Sequence, residues 1–401
     1  MGGTVDLSAG QAGTWTIPCG ASAAVINQAL ADAGAFSVST GGRGRVVFPD
    51  GLAFLLEEPL VVPADVDVVA GIALLIAGHA SPMVMNSLAG CTGRYTGAGG
   101  WTWTGGSLDG ANLSTHGFSL AHCPRATISD ATVWNTCLRG HAIEINSSGG
   151  PPNSKRIDAM TDADFTIQVL DCHFRGVVDR RSNDCDEAVH FDYAWTGATY
   201  EVLNDGTVSN NVLISGCTFD RSGPTAVPYP VGVGAHKFTT SPAAGEAAPV
   251  ALHSRIKIAG NTFTGITPVD VAHERGAVHL RALTQVIVEG NRFTGCAYGI
   301  TMEPIGLPDR FGQPSDFFLR GNTFDSCGSA ANTCWCLTNS VGATDDPGGT
   351  FWSNVRFEGN TFTGTVPATQ TTYLISGADV NGLRVVNNRF WGLGASPEPA
   401  R

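Results

Sequence analysis

From Ile214 to Phe390 apolar and polar positions recur as one phrase: ISGCTF, IAGNTF, VEGNRF, LRGNTF, FEGNTF and VVNNRF, ending at Phe219, Phe263, Phe293, Phe324, Phe362 and Phe390. Each copy has an apolar residue, two intervening residues, Asn (Cys in the first copy), a polar residue and Phe. That pattern predicts a strand entering a turn and a second strand leaving it. Asn261, Asn291 and Asn322 are thirty and thirty-one residues apart, the period of stacked units too small to bury an apolar face alone. Between copies come further alternating runs, such as GAVHLRAL from Gly276 and YGITMEP from Tyr298, with no long helical spacing. The spacing therefore predicts an all-β, single-stranded right-handed parallel β-helix, with inward apolar residues at alternate positions and Asn side chains of successive turns bonded as a ladder. Cys172 in LDCHF and Cys217 in SGCTF take the Asn position in earlier turns.

The start of the chain reads differently. Val25, Ile26, Ala29, Leu30 and Ala33 share one helical face behind Ser22 as N-cap, predicting a short helix over Ala24–Ala33 that closes the open end of the solenoid. The first coil follows from Gly44 to Gly71, with turns at Pro49-Asp50-Gly51 and at Pro63. The expected organisation is an N-terminal segment with the capping helix (1–43), one β-helix (44–392) and a short tail (393–401).

Composition agrees with strands and tight turns: 51 Gly, 21 Pro and 14% charged residues in 401. A net charge of −12 argues against general nucleic-acid binding or attachment to an anionic membrane. No apolar run approaches the roughly 18 residues of a membrane span. MGGTVDLSAG lacks the charged and apolar segments of a signal peptide, so export would rest on a segment already removed. Of the 11 Cys, most sit at repeat positions, which favours stacked buried thiols over disulfides between neighbouring turns. Cys334 and Cys336 form a C-x-C without a second pair, too little for zinc.

The order of capping helix, GRVVFPDG, PLVVP and a strand ending in Gly, together with the later GNTF phrases, resembles the pectate-lyase-like right-handed parallel β-helix superfamily of polysaccharide lyases, polygalacturonase-like hydrolases and phage tail depolymerases. WTWTGGSLDG, from Trp101 to Gly110, is similar to a GG-x-x-DG turn of that superfamily, with Asp109 structural. The resemblance covers most of the chain and implies a substrate groove along one sheet. It also implies a secreted or virion-associated protein acting on a polysaccharide or oligosaccharide as monomer or homotrimer.

Aligning the alternating strands on their inward pairs (Ile143 and Ile145, Val189 and Phe191, Val278 and Leu280, Ile300 and Met302) leaves two outward columns. One holds Glu144, His190, Gly234, His279 and Thr301; the other holds Asn146, Asp192, His236, Arg281 and Glu303. Thr, Ser, Asn and Lys are the residues expected on a plain solvated strand face, so three His, an Arg and three carboxylates single this face out. Asp192, His236, Arg281 and Glu144 are the catalytic candidates, and His190, His279, Glu303, Asn146, Trp195 and Lys237 the substrate-binding ones. Inserts over Ser147–Asp164, Tyr193–Ser209 and Phe238–Leu252 follow the columns, where loops build substrate walls. Trp195 within them is a candidate for stacking on a sugar, with packing of its own loop the alternative.

A lyase on a uronate polymer needs a base for the C5 proton, for which His236 or His279 is suited, and a cation for the developing enolate, for which Arg281 is suited. Glu144, Asn146 and Asp192 form a candidate oxygen set for Ca2+. A hydrolase or fructotransferase-like enzyme would use Glu144 and Asp192 as paired carboxylates. The three-aspartate signature of polygalacturonases is absent, since DCDE at Asp184–Glu187 falls in a turn before the groove strand. A glycan-binding spike without catalysis would use the same groove.

Overall fold

The computed structural model describes residues 13–136, 140–175, 187–194, 203–220, 231–235, 247–266, 276–296, 298–303, 314–327, 334–339, 352–364, 373–375 and 380–391. The helix begins where the capping signal places it: Ser22 Oγ accepts from Val25 N at 3.4 Å, and Ile26, Ala29, Leu30 and Ala33 are buried. Its length exceeds the sequence expectation, because it runs over Ala23–Thr40 to Gly41, which takes a left-handed φ of 70°. The extra turns are held by Ser37, whose Oγ donates to Ala33 O and Asp65 O and accepts from Gly44 N. A Cβ at Gly44 would lie 2.2 Å from Ala33 O, so only glycine lets the first coil approach the helix so closely. The N-terminal segment also contributes a strand that the sequence reading lacked: Thr14–Thr16 pairs in parallel with the strand Gly44–Val47.

The repeated phrase turns the chain at a fixed place in every coil. The residue before the ladder Asn is left-handed, with φ between 63° and 65° at Gly260, Gly290, Gly321 and Gly359, which directs the Asn side chain into the turn. Asn261, Asn291, Asn322, Asn360 and Asn388 then form a ladder, the Oδ1 of each of the last four accepting from the backbone N–H and the Nδ2 of the preceding Asn at 2.9 to 3.0 Å. Asn261 Oδ1 closes the first rung on Cys217 N at 2.8 Å. Two residues on, Phe219, Phe263, Phe293, Phe324 and Phe362 stack with centroids 4.6 to 4.9 Å apart, one ring per coil.

Every pairing between neighbouring coils is parallel, in one sheet of 22 strands and one of 10 among the described residues. A single apolar core runs through the solenoid from Ile26 under the helix to Phe362 in the last coils. The cysteines described at repeat positions are free thiols, as expected, and burial pushes those of Cys217 and Cys123 up, the latter to about 12. In Cys327 the hydrogen bond with Cys296 and burial act the same way. Thiols held protonated in this way are structural and not nucleophiles. Among the described residues no helix is long and apolar enough to cross a membrane.

One insert behaves differently from its sequence reading. Within Ser147–Asp164, Ile157 and Met160, with Phe165 just beyond, pack on Leu213, Ile287 and Phe318, which lie on strands of the 22-stranded sheet. Lys257 pins the segment through Asp162 at 2.9 Å and Glu289 at 3.1 Å. Its apolar residues thus bury outward-facing hydrophobic positions on the other sheet rather than forming a wall beside the candidate groove.

Candidate functional site

The ten-stranded sheet carries the described members of both columns. Across its strands Glu144 pairs with His190, His190 with Gly234, His279 with Thr301, Asn146 with Asp192 and Arg281 with Glu303. Val233 pairs with Val278, which sets Gly234 beside His279 and supports the chosen alignment of PVGVGA. Trp195, His236 and Lys237 lie outside the described residues, and Glu303 is placed through its strand Ile300–Glu303.

Exposure differs from the expectation of an open, solvated groove floor. Glu144 is 5% exposed, Asp192 3%, Arg281 8%, and Asn146, His190 and His279 are 0%. Alternation along a strand decides which way a side chain leaves the sheet, but not whether something lies over it, and here the outward face is covered. Buried ionisable groups require partners, and the arrangement supplies them. Ser119 Oγ donates to Glu144 Oε2 at 2.8 Å, and His116 Nε2 lies 3.5 Å from the same oxygen.

Three members of the network were missed in the sequence. His116, His141 and Glu187 each open a strand, and all three are at most 4% exposed. The imidazoles of His116 and His141 stack at 5.2 Å, and those of His141 and His190 at 4.1 Å. The Glu187 Oε2 atom lies 2.9 Å from His190 Nδ1 and 4.0 Å from His141 Nδ1, and the Glu187 carbonyl is 2.8 Å from His141 Nδ1. Glu187 therefore belongs to the groove strand, not to the turn before it. Its carboxylate fills the space above Gly234: a Cβ there would be 3.2 Å from Oε1 and 3.3 Å from His279 Cβ. A signal was present, since pairing Ile143 with Val189 also pairs His141 with Glu187 two residues earlier. Strict period two assigns both to the interior, and both instead meet the outward His190, Glu187 through its carboxylate and His141 through ring stacking.

In the second column, Asn146 Oδ1 accepts from Ser147 Oγ and Asp192 Oδ1 from Tyr193 N, both at 2.8 Å. Asn146 Nδ2 is buried and makes no hydrogen bond. Elsewhere, Asp109 is structural as expected, with Oδ1 accepting from Ala111 N and Asn135 Nδ2. His253 accepts from Ser209 N inside the fold, while His173 pairs with Asp220 on the 22-stranded sheet.

No family model and no curated relative matches the sequence. Solved structures do. A surface adhesin of Streptococcus pneumoniae aligns at TM-score 0.61 with 17% identity, over 92% of this chain and 88% of that one. A tailspike protein of an E. coli bacteriophage, solved with a pentasaccharide, aligns at 0.58 with 14% identity, over 93% of this chain and 60% of its own. The endo-xylogalacturonan hydrolase of Aspergillus tubingensis aligns at 0.54 with 14% identity, over 94% and 92%. Together with the parallel coils, these likenesses establish that this chain has the right-handed parallel β-helix fold of these structures.

Proposed function

We propose that this protein cleaves a uronate-containing polysaccharide by β-elimination over the outer face of its ten-stranded sheet. The observation that carries the reading is the pair His279 and Arg281, two residues apart on one strand and so on one face, beside the Glu187 carboxylate above Gly234. Residues i and i+2 of a strand are about 6.7 Å apart, a span that lets an imidazole reach the C5 proton while a guanidinium fork holds the carboxylate of the same sugar. Neutral His279 takes the C5 proton, the C4–O bond breaks as the C4–C5 double bond forms, and the leaving oxygen takes up a proton. Arg281 stabilises the enolate charge. His236, Lys237, Trp195 and Glu303 remain proposed contacts, as does Ca2+ on Glu144, Asn146 and Asp192. Since His279 is 0% and Arg281 8% exposed, a bound sugar has to displace what covers them.

Hydrolysis is the second reading, favoured by the register. Glu144 pairs with His190, and Asp192 follows two residues on, so the two carboxylates are diagonal neighbours about 7 to 8 Å apart at Cα. Inverting hydrolases separate their carboxyl groups by roughly 6.5 to 9.5 Å. The likeness to a xylogalacturonan hydrolase supports this reading, whereas the adhesin and tailspike support a glycan-binding protein at a cell or virion surface. A panel of acidic and neutral polysaccharides, followed for reducing ends and for ultraviolet absorbance of unsaturated uronate, separates the three. Both signals mean elimination, reducing ends alone mean hydrolysis, and binding without either means a spike.

A further inference from the structure

We propose that His141, Glu187 and His190 form a binding site for a transition-metal ion of the Zn2+ type. One donor atom from each lies within 4.8 Å of the other two, and the residues are 2%, 1% and 0% exposed. A metal bound at about 2.0 to 2.1 Å requires tetrahedral donors roughly 3.3 Å apart, so the donors are near enough in distance, while the face-to-face stack of His141 and His190, at 4.1 Å and 8°, has to open by rotation of the His190 ring before the in-plane lone pairs of both imidazoles meet at one ion. Two imidazoles and one carboxylate match Zn2+ and its neighbours, while Ca2+ and Mg2+ take oxygen donors.

The surroundings have the form that supports a metal ligand. The Glu187 carbonyl, 2.8 Å from His141 Nδ1, fixes the orientation of that ring, and His116 stacks on its outer side at 5.2 Å with Glu144 3.5 Å beyond. Backbone and carboxylate partners of this kind hold ligating imidazoles in place. Gly234 leaves the space that the Glu187 carboxylate occupies, because a Cβ would come within 2.8 Å of Glu187 Cγ. A divalent ion also offsets the cost of keeping a carboxylate away from water. None of His279, Arg281 and Asp192 is a ligand, although Glu187 stands beside that pair across Gly234, and direct metal titration reads the site apart from any turnover of sugar.

Purified protein stripped with a chelator would be titrated with ZnCl2 and separately with CaCl2 by calorimetry. One Zn2+ per chain and no Ca2+ at these three residues is expected. Glu187→Gln and His190→Ala should each weaken Zn2+ binding at least about a hundredfold, and Gly234→Ala by roughly ten- to a hundredfold through displacement of the carboxylate. His173→Ala, on the other sheet, should change nothing. X-ray absorption at the zinc edge of the wild-type protein counts imidazole donors even if a variant fails to fold; two are expected. Absence of Zn2+ binding, binding lost with His173→Ala but kept in Glu187→Gln, or a zinc shell without imidazole would each overturn the proposal.

Discussion

Asn291→Ala removes one rung from the middle of the ladder. The Asn291 Oδ1 atom accepts from Asn261 N at 2.9 Å and Asn261 Nδ2 at 3.0 Å, while its Nδ2 donates to Ile258 O at 2.9 Å and Asn322 Oδ1 at 3.0 Å. With Asn261 and Asn291 each 1% exposed, water cannot replace the lost acceptor. Two donors on Asn261 are left without it, and at about 1 to 3 kcal/mol for each stranded buried group the loss should be about 4 kcal/mol. Asn388→Ala tests the reasoning from the other end. That rung makes the same bonds to Asn360, but Asn388 is only half-buried, so water reaches the vacated place and the loss should be about 1 kcal/mol. Urea unfolding followed by circular dichroism and tryptophan fluorescence reads both as midpoint shifts at unchanged slope. Equal shifts for the two variants, or less than about 1 kcal/mol for Asn291→Ala, would refute the view that burial of the ladder sets its contribution.

Phe293→Ala, in a ring stack with neighbours at 4.9 and 4.8 Å, should cost about 3 to 5 kcal/mol by the same assay, and a mild effect would contradict its burial. Burial alone would raise the Glu289 carboxyl, but hydrogen bonds from Lys257 and Arg320 outweigh it and hold the group below its usual range. Its stabilisation is therefore complete above about pH 4.3, the unfolded value, and is lost as pH falls through the lower folded value. Glu289→Gln should destabilise at neutral pH and converge on wild type in acid; a pH-independent difference would contradict the ion pairs. His279→Ala should lower turnover at least about a hundredfold with sugar binding retained. Arg281→Lys should also be damaging, since a point charge cannot replace the planar fork; full activity in both variants would remove this strand from the mechanism.

The architecture was legible because a solenoid repeats its instructions. The phrase with Gly, Asn and Phe at fixed offsets specifies a left-handed corner, a ladder rung and a stacked ring within six residues, and each bonds to its own copy one coil away. Helix start and strand register were legible for the same local reason, through the Ser22 cap and the alternation of Val278 and Leu280 with His279 and Arg281. What lies over a face, and which first residue of a strand joins it, depends on contacts distant in sequence. Local patterning thus placed Glu144, His190 and Asp192 together but left their burial undecided, and it assigned Glu187 to a turn. Only the tertiary structure brought His141, Glu187 and His190 to one point and laid Ile157 and Met160 over the other sheet, because those outcomes follow from where an insert finds apolar surface and where a strand begins.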